Sequence, residues 1–235
     1  MDEKEVKRAL LNIYPRLFSE YGPQHWWPAR TRFEVITGAI LTQSAAWTNV
    51  EKAIENLKQA GALSPGTIRR MSQDKLAMLI HPCGYYNTKA RKLKAFAGWL
   101  GEQYSDDLDR LFAQDIEELR RQLLNVYGIG EETADSIILY AGNKPIFVID
   151  AYTRRIVNRL GLAPNINSYT ALQRLFMANL PADTTLFNEY HALLVRLAKE
   201  VCRTSPLCRQ CCLNPGRRTG SEPSEGNFPC RKIHK

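Results

Sequence analysis

No stretch of about 18 consecutive apolar residues occurs in the 235-residue chain, so the sequence predicts no membrane-spanning helix. The charged first residues, MDEKEVKRALL, are not those of a secretory signal peptide. Strand-like alternation of apolar and polar residues is also missing, as are internal repeats. These absences favour an all-α protein of the cytoplasm.

Cysteine is scarce outside one region, because five of the six cysteines lie in the last 34 residues. In a reducing compartment, clustered cysteines are more often metal ligands or free thiols than disulfides. Cys83 stands alone and is predicted to be a buried core thiol.

Positive charge is what the chain has in excess: its formal net charge is +8 and its pI is about 9.2. Lysine and arginine that neutralise phosphates release counterions, so this balance fits a polyanionic partner. The same balance also occurs on the solvated faces of many soluble proteins.

Most of the chain is predicted to be helical. The predicted helices lie between turn residues and show either helical apolar periodicity or residues that favour helices. The predicted helices span residues 3–20, 32–42, 48–60, 65–71, 73–80, 87–103, 108–113, 115–126, 131–141, 151–160, 168–178 and 184–203. Residues 215–229, rich in Gly, Ser, Pro and charge, are predicted to form a loop or tail.

Gly128-Ile129-Gly130 separates two of these helices and predicts a helix, a tight hairpin and a second helix over about residues 115–141. Without side chains at Gly128 and Gly130, backbone N–H groups can approach a phosphate oxygen near the positive end of the second helix dipole. An ordinary corner between two helices would use the same glycines.

Asp150 follows the apolar run Ile146 to Ile149 and directly precedes a predicted helix. Aspartate is a favoured N-cap, so a purely structural role explains this position. A catalytic carboxylate is the alternative, and the two are compatible, because a helix N-terminus lowers the pKa of a carboxyl group.

Several motifs in order resemble the endonuclease III superfamily of DNA glycosylases, over about residues 30 to 212. The motifs are the hairpin and following loop with its aspartate at 128–150, the FEVITGAILTQ segment at 33–43, the GYYNTKA segment at 84–90 and the C-terminal cysteine cluster. In addition, GPQHWWP at 22–28 resembles the signature of the 3-methyladenine branch of this superfamily.

The resemblance implies two helical domains with a DNA cleft between them. Residues 33–145 would form a helical barrel that includes the hairpin, and residues 1–32 and 146–235 a second domain that ends in the cysteine cluster. A monomer acting on damaged double-stranded DNA, in the cytoplasm and at the nucleoid, is the implied biological unit.

The resemblance also assigns roles in catalysis and DNA binding. Asp150 would be catalytic, and Gly128, Gly130, Thr133 and Lys89 would contact phosphates. Bifunctional members carry a lysine eighteen positions before the aspartate, where this chain has Glu132, so a monofunctional glycosylase is expected.

Other assignments of the reaction stay open at this point. Glu131 and Glu132 also fit a simple role in complementing the helix dipole, and a shifted alignment would let Lys144 act as the amine. The alternative activities are an oxidised-pyrimidine glycosylase and lyase, a mismatch uracil or thymine glycosylase, and a non-catalytic DNA-binding module.

The implied base pocket is aromatic. Trp26, Trp27 and Trp47 would line it and bind a flipped, N-alkylated purine such as 3-methyladenine, whose positive charge is attracted to aromatic rings. Glu132 is assigned to the same group of base-pocket and DNA-wedge residues. Core packing is the alternative for each tryptophan. Gln43 would fill the space that the flipped base leaves, with Ser44 as the alternative.

Cys202, Cys208 and Cys211 have C-x5-C-x2-C spacing, which resembles the start of the loop that holds a 4Fe-4S cluster in this superfamily. The fourth ligand is missing from its usual place. Cys230 would supply it through a longer loop, with Cys212 as the alternative. Zinc, or free thiols with no metal, remain the other possibilities.

Overall fold

The computed structural model describes residues 2–163 and 166–214, and every regular element within those ranges is helical. The all-α prediction is therefore confirmed. The helices are α1 (Glu3–Tyr21), α2 (Arg32–Leu41), α3 (Trp47–Gln59), α4 (Pro65–Arg70), α5 (Gln73–Leu79), α6 (Tyr86–Tyr104), α7 (Leu108–Phe112), α8 (Ile116–Leu124), α9 (Glu131–Ser136), α10 (Ala151–Arg159), α11 (Tyr169–Asn179) and α12 (Thr184–Glu200). None of the helices in the described ranges is long and apolar enough to cross a membrane.

The chain divides into two units. The terminal unit joins Met1–Trp26 to Pro145–Lys235, and the central unit is the continuous stretch Trp27–Lys144. The central unit is therefore inserted in sequence between the two segments of the terminal unit.

The central unit is built around α2, in which every residue from Phe33 to Leu41 is buried. This helix packs against α3, α6 and α9. Its one buried charge, Glu34, accepts a hydrogen bond from Lys58 Nζ at 2.6 Å, which offsets the cost of burying the carboxylate. A helix that is apolar on all sides is expected in such a fully enclosed position.

The predicted hairpin joins α8 to α9, and an ion pair ties the two helices together. Arg120 on α8 donates from Nε to the fully buried Asp135 at 2.7 Å and from Nη2 to Glu131 at 3.2 Å. Gly128 has a φ of 82°, and a Cβ there would lie 2.3 Å from Cγ of Lys92. Only glycine satisfies both this backbone conformation and this close approach.

The terminal unit has an aromatic core that fastens the N-terminal helix to the later ones. Tyr190 on α12 is fully buried, and its hydroxyl donates to the Leu10 carbonyl of α1 at 2.9 Å. Phe147 stacks on Phe176 of α11 with ring centroids 4.1 Å apart. Both ends of the described chain thus contribute to one core.

The Arg120–Asp135 pair should dominate the stability of the hairpin. Arg120→Ala leaves the Asp135 carboxylate buried without its cation, and we expect the free energy of unfolding to fall by about 3 kcal/mol. Arg121→Ala is the matched control, because Arg121 pairs with Glu118 at the surface, where water screens the pair, and its removal should change the free energy of unfolding far less than Arg120→Ala. Urea denaturation measures both, and equal losses would contradict the assignment.

Candidate active site

A short extended segment, Ile146 to Ile149, carries the chain into the candidate site. All four of its side chains are buried, with at most 2% of their surface exposed. Side chains of α11 bind its backbone: Gln173 Nε2 donates to the Phe147 carbonyl at 2.7 Å, and the Ile149 N–H donates to the Tyr169 hydroxyl at 3.3 Å. The position of the next residue is therefore fixed by the core.

That residue is Asp150, the N-cap of α10. Its Oδ1 accepts a hydrogen bond from the Thr153 N–H at 2.6 Å. Its Oδ2 lies 3.7 Å from Nε2 of His191 on α12, and the carboxylate side chain is 12% exposed. Asp150 is thus held by two helices and still reaches the surface of the terminal unit.

The surroundings of Asp150 favour its ionised form. Burial raises its pKa, but His191 and the Thr153 N–H stabilise the carboxylate and leave the pKa below the ordinary aspartate value. Because folding lowers this pKa, the ionised group stabilises the fold above the ordinary pKa, and this contribution is lost as the pH falls through the folded-state value. Asp150 is therefore a carboxylate at neutral pH.

The hairpin presents the N-terminus of α9. Gly130 is its N-cap, and no side chain caps the helix there. The first N–H groups of any helix have no acceptor within the helix, and the helix dipole makes this end attractive to an anion. Glu132, at the position where the resemblance would place a lysine, is exposed in this first turn.

Gln43 faces the hairpin. Its Nε2 donates to the Gly128 carbonyl at 3.0 Å and to Thr133 Oγ1 at 2.8 Å, and Lys92 Nζ donates to its Oε1. Ser44 is instead exposed and has a left-handed φ of 53°. Of the two residues predicted to enter DNA, Ser44 is the one that reaches outwards in this structure.

Two of the predicted phosphate contacts have buried side chains. Lys89 is only 2% exposed, and its Nζ donates to the Cys83 carbonyl at 2.8 Å inside the central unit. The prediction that Lys89 binds phosphate is therefore wrong, and burial lowers the pKa of its amine. The Thr133 side chain is 6% exposed and is turned towards Gln43, so any phosphate contact of Thr133 must come from its backbone N–H.

Three aromatic rings meet in the central unit. Trp27 contacts Trp47 edge to face, with centroids 5.2 Å apart and planes at 89°, and it also lies 5.2 Å from the ring of Tyr140. The indole of Trp27 lies against Gly38 of α2, where a Cβ would be 3.0 Å from Cζ2. We call Trp27, Trp47 and Tyr140 the aromatic cluster; Tyr140 was not predicted.

Trp26 belongs to the terminal unit. There the Lys199 ammonium lies 5.9 Å from the centroid of its ring, within the range of a cation–π contact. His25, the preceding residue, is exposed with a φ of 51°. The two adjacent tryptophans are thus placed in different units.

Comparison with known proteins identifies the chain. Residues 37–182 match the family model described as HhH-GPD superfamily base excision DNA repair protein. The chain belongs to this superfamily. It is a DNA glycosylase of the endonuclease III type, and its substrate is DNA.

Three similar proteins align with most of this chain. A Methanocaldococcus jannaschii protein named as a DNA repair glycosylase is 44% identical over 210 residues, which cover 88% of this chain and 96% of that protein. Endonuclease III of Sulfolobus acidocaldarius is 28% identical over 77% of this chain and 79% of its own length. The structure of Helicobacter pylori 3-methyladenine DNA glycosylase bound to 1,N6-ethenoadenine has a TM-score of 0.71 and 28% identity, over 85% and 98% of the two chains.

Three cysteines of the glycosylase line a small apolar cavity. Cys202, Cys208 and Cys211 line it together with side chains of α10 and α12. Arg159 Nη1 lies 3.3 Å from the Cys202 sulfur. Burial raises the pKa of the Cys211 thiol, and the neighbouring Cys202 and Cys208 raise it further. Three thiols therefore face one space, which is the donor chemistry of an iron–sulfur site.

The remaining cysteines have different positions. Cys230, the predicted fourth ligand, lies outside the described residues. The carbonyl of Cys212, the alternative ligand, accepts a hydrogen bond from Arg16 at 2.8 Å. Among residues 2–163 and 166–214, no set of three or more His, Cys, Asp or Glu side chains is already arranged to hold a metal ion. Cys83 is buried at 3% exposure, which confirms its prediction as a core thiol.

Proposed function

We propose that this glycosylase is monofunctional and removes N-alkylated purines, such as 3-methyladenine, from double-stranded DNA. The observation that carries the proposal is the aromatic cluster, in which Trp27 is fixed against Gly38 and flanked by two further rings. A supporting likeness is the Helicobacter pylori relative, whose name gives 3-methyladenine as its base and whose structure holds 1,N6-ethenoadenine.

Aromatic walls suit a base of this kind for an electrostatic reason. The face of an indole or phenol ring attracts a cation by about 0.5–2 kcal/mol, and the attraction grows as water is excluded. A 3-methylated adenine in DNA carries a positive charge, whereas the normal purines do not. Flat apolar rings also receive a base that has been removed from the stack.

Asp150 is proposed to carry the chemistry. When the bond between C1′ and the purine nitrogen breaks, the electron pair of that bond stays with the base. The cationic base thereby becomes neutral and leaves without receiving a proton. The positive charge that develops on the sugar is stabilised by the Asp150 carboxylate. Water then attacks C1′, and the carboxylate accepts the proton that this water loses. The His191 and Thr153 contacts keep the group ionised before the reaction begins.

We propose that the enzyme does not cleave the DNA strand, because Glu132 stands where a lyase would have its reactive lysine. A lyase of this type needs an amine that attacks C1′ and forms a Schiff base, which a carboxylate cannot do. Glu132 occupies the expected position and is exposed in the first turn of α9. Lys144, the alternative amine, is half-buried at the end of the central unit.

DNA binding is proposed to use the hairpin backbone. The glycines at 128 and 130 allow a phosphate to approach the N-terminus of α9, as in other helix termini that bind anions. Ser44 is proposed as the residue that enters the space of the flipped base, since Gln43 is engaged with Gly128 and Thr133. A monomer is sufficient for these contacts.

We also infer that Cys202, Cys208 and Cys211 hold a 4Fe-4S cluster, with Cys230 or Cys212 as the fourth ligand. Such a cluster would cross-link the segment that follows α12 and thereby stabilise the fold. Arg159 would donate a hydrogen bond to the Cys202 sulfur, and contacts of this kind tune cluster potentials.

A panel of damaged duplexes tests the activity. We expect release of 3-methyladenine and 7-methylguanine, with thymine glycol and mismatched uracil left in place. Asp150→Asn should lower excision by about 10²–10⁴-fold and still bind a duplex with an abasic-site analogue. Borohydride should trap no covalent adduct, because no enzyme amine attacks the sugar.

Each part of this panel has a contradicting outcome. A borohydride-trapped adduct would replace the proposal by a bifunctional glycosylase and lyase. Release of thymine glycol without alkylpurines would assign an oxidised-pyrimidine enzyme, and release of mismatched bases a mismatch enzyme. Full activity of Asp150→Asn would remove Asp150 from the chemistry.

Iron content tests the cofactor. Protein purified under anaerobic conditions should contain iron and acid-labile sulfide in equal amounts and show visible iron–sulfur absorption. Cys208→Ala should lose both, whereas Cys83→Ala, the matched control in the core, should keep both. Zinc without iron, or metal-free protein of unchanged stability, would contradict the inference.

A further inference from the structure

We propose that Tyr140, which lies within a π-turn at the end of the second hairpin helix, is a specificity-determining residue of the base pocket. The inference rests on the proposed alkylpurine function and assigns one ring of the aromatic cluster a role in selecting the base. The hydrogen bonding of residues 137–141 and the ring contacts of Tyr140 support this role.

The first observation is a π-turn at the end of the second hairpin helix. After α9, residues Ile137–Ala141 leave the α-helical pattern, and the Gly142 N–H donates to the Ile137 carbonyl, five residues back, at 3.0 Å. Such a turn accommodates one extra residue and is frequent at functional sites. Tyr140 lies inside this turn, between the Ile137 carbonyl and the Gly142 N–H.

The second observation is the position of the Tyr140 side chain. Residues 133–139 and Ala141 are all buried, while Tyr140 alone in that stretch is partly exposed. Its ring lies 5.2 Å from that of Trp27, with the two planes at 49°. One aromatic residue within the π-turn is thus partly exposed and contacts the Trp27 indole, while its neighbours in the helix are buried.

In the aromatic cluster, the Tyr140 ring contacts Trp27, which in turn contacts Trp47. The Trp27 indole lies close against α2, since a Cβ at Gly38 would be only 3.0 Å from its Cζ2. Trp47 meets Trp27 at 89°, and Tyr140 meets the same indole at 49°. Three segments of the central unit thus each contribute one ring to a common surface.

The electronic character of the Tyr140 ring then gives it a role in selection. An electron-rich ring attracts a cationic base more than a neutral base, and this preference depends on the π-system rather than on the shape of the side chain. Tyr140 is therefore expected to favour cationic alkylpurines, and its hydroxyl is not required for that preference.

Single-turnover excision of 3-methyladenine tests the proposal. Tyr140→Leu should lower the excision rate about 3- to 30-fold, and Tyr140→Phe, the matched control, should stay within about 2-fold of the wild-type protein. Binding of each variant to a duplex with an abasic-site analogue, which lacks a base, should remain within about 2-fold of wild type. This second measurement separates loss of the ring from general damage to the protein.

A fluorinated series covers the case in which Tyr140→Leu does not fold. Phenylalanine analogues with increasing numbers of ring fluorines, incorporated at position 140, keep the ring and withdraw its electron density. The excision rate for 3-methyladenine should fall stepwise along the series, while binding to the abasic-site duplex stays constant. A purely structural tyrosine would give no such trend.

The outcomes distinguish this inference from the function on which it rests. Wild-type rates for Tyr140→Leu, a flat fluorine series, or a parallel loss of abasic-site binding would overturn the role of Tyr140 and leave the alkylpurine activity standing. Failure of the wild-type protein to release 3-methyladenine would overturn both.

Discussion

The carboxylate of Asp150 at the start of α10 is the group on which the chemistry proposed for this glycosylase depends. Its location follows from the buried segment Ile146 to Ile149, whose backbone is bound by side chains of α11. Its charge follows from His191 and the Thr153 N–H, which outweigh the cost of burial. Helix capping and the proposed catalysis require the same state of an aspartate, because both need an ionised carboxylate oxygen held in place at a helix N-terminus. The structural role of Asp150 therefore supports its proposed chemical role.

In the central unit, glycines leave space for larger side chains to pack closely against the backbone. Gly38 on α2 lets the Trp27 indole lie directly on the helix, and Gly128 lets the Lys92 stem lie on the hairpin. The Gln43 side chain donates a hydrogen bond to the Gly128 carbonyl and thereby links the loop after α2 to the hairpin. The segment with the aromatic cluster and the segment that presents the helix N-terminus are thereby parts of one packed unit.

Much of the fold could be predicted from periodicity and turn residues, and the helix from Ala151 with its aspartate cap is an example. What escaped prediction depended on tertiary contacts. His191 is distant in sequence, so nothing near Asp150 indicates it. The π-turn before Gly142 leaves no trace in apolar spacing, and Tyr140 therefore passed for an ordinary helical residue. Lys89 is a different case: it lies four positions before Leu93 and seven before Phe96 on the buried face of α6, a spacing that indicates burial.

Direct titration of the Asp150 carboxyl group tests the central claim. The carboxyl carbon can be followed by NMR in selectively labelled protein, and Asp150→Asn identifies its signal. The contacts with His191 and Thr153 predict a pKa below the ordinary aspartate value of about 3.9. A pKa at or above that value would mean that burial prevails, and it would contradict a carboxylate poised to stabilise a cationic sugar.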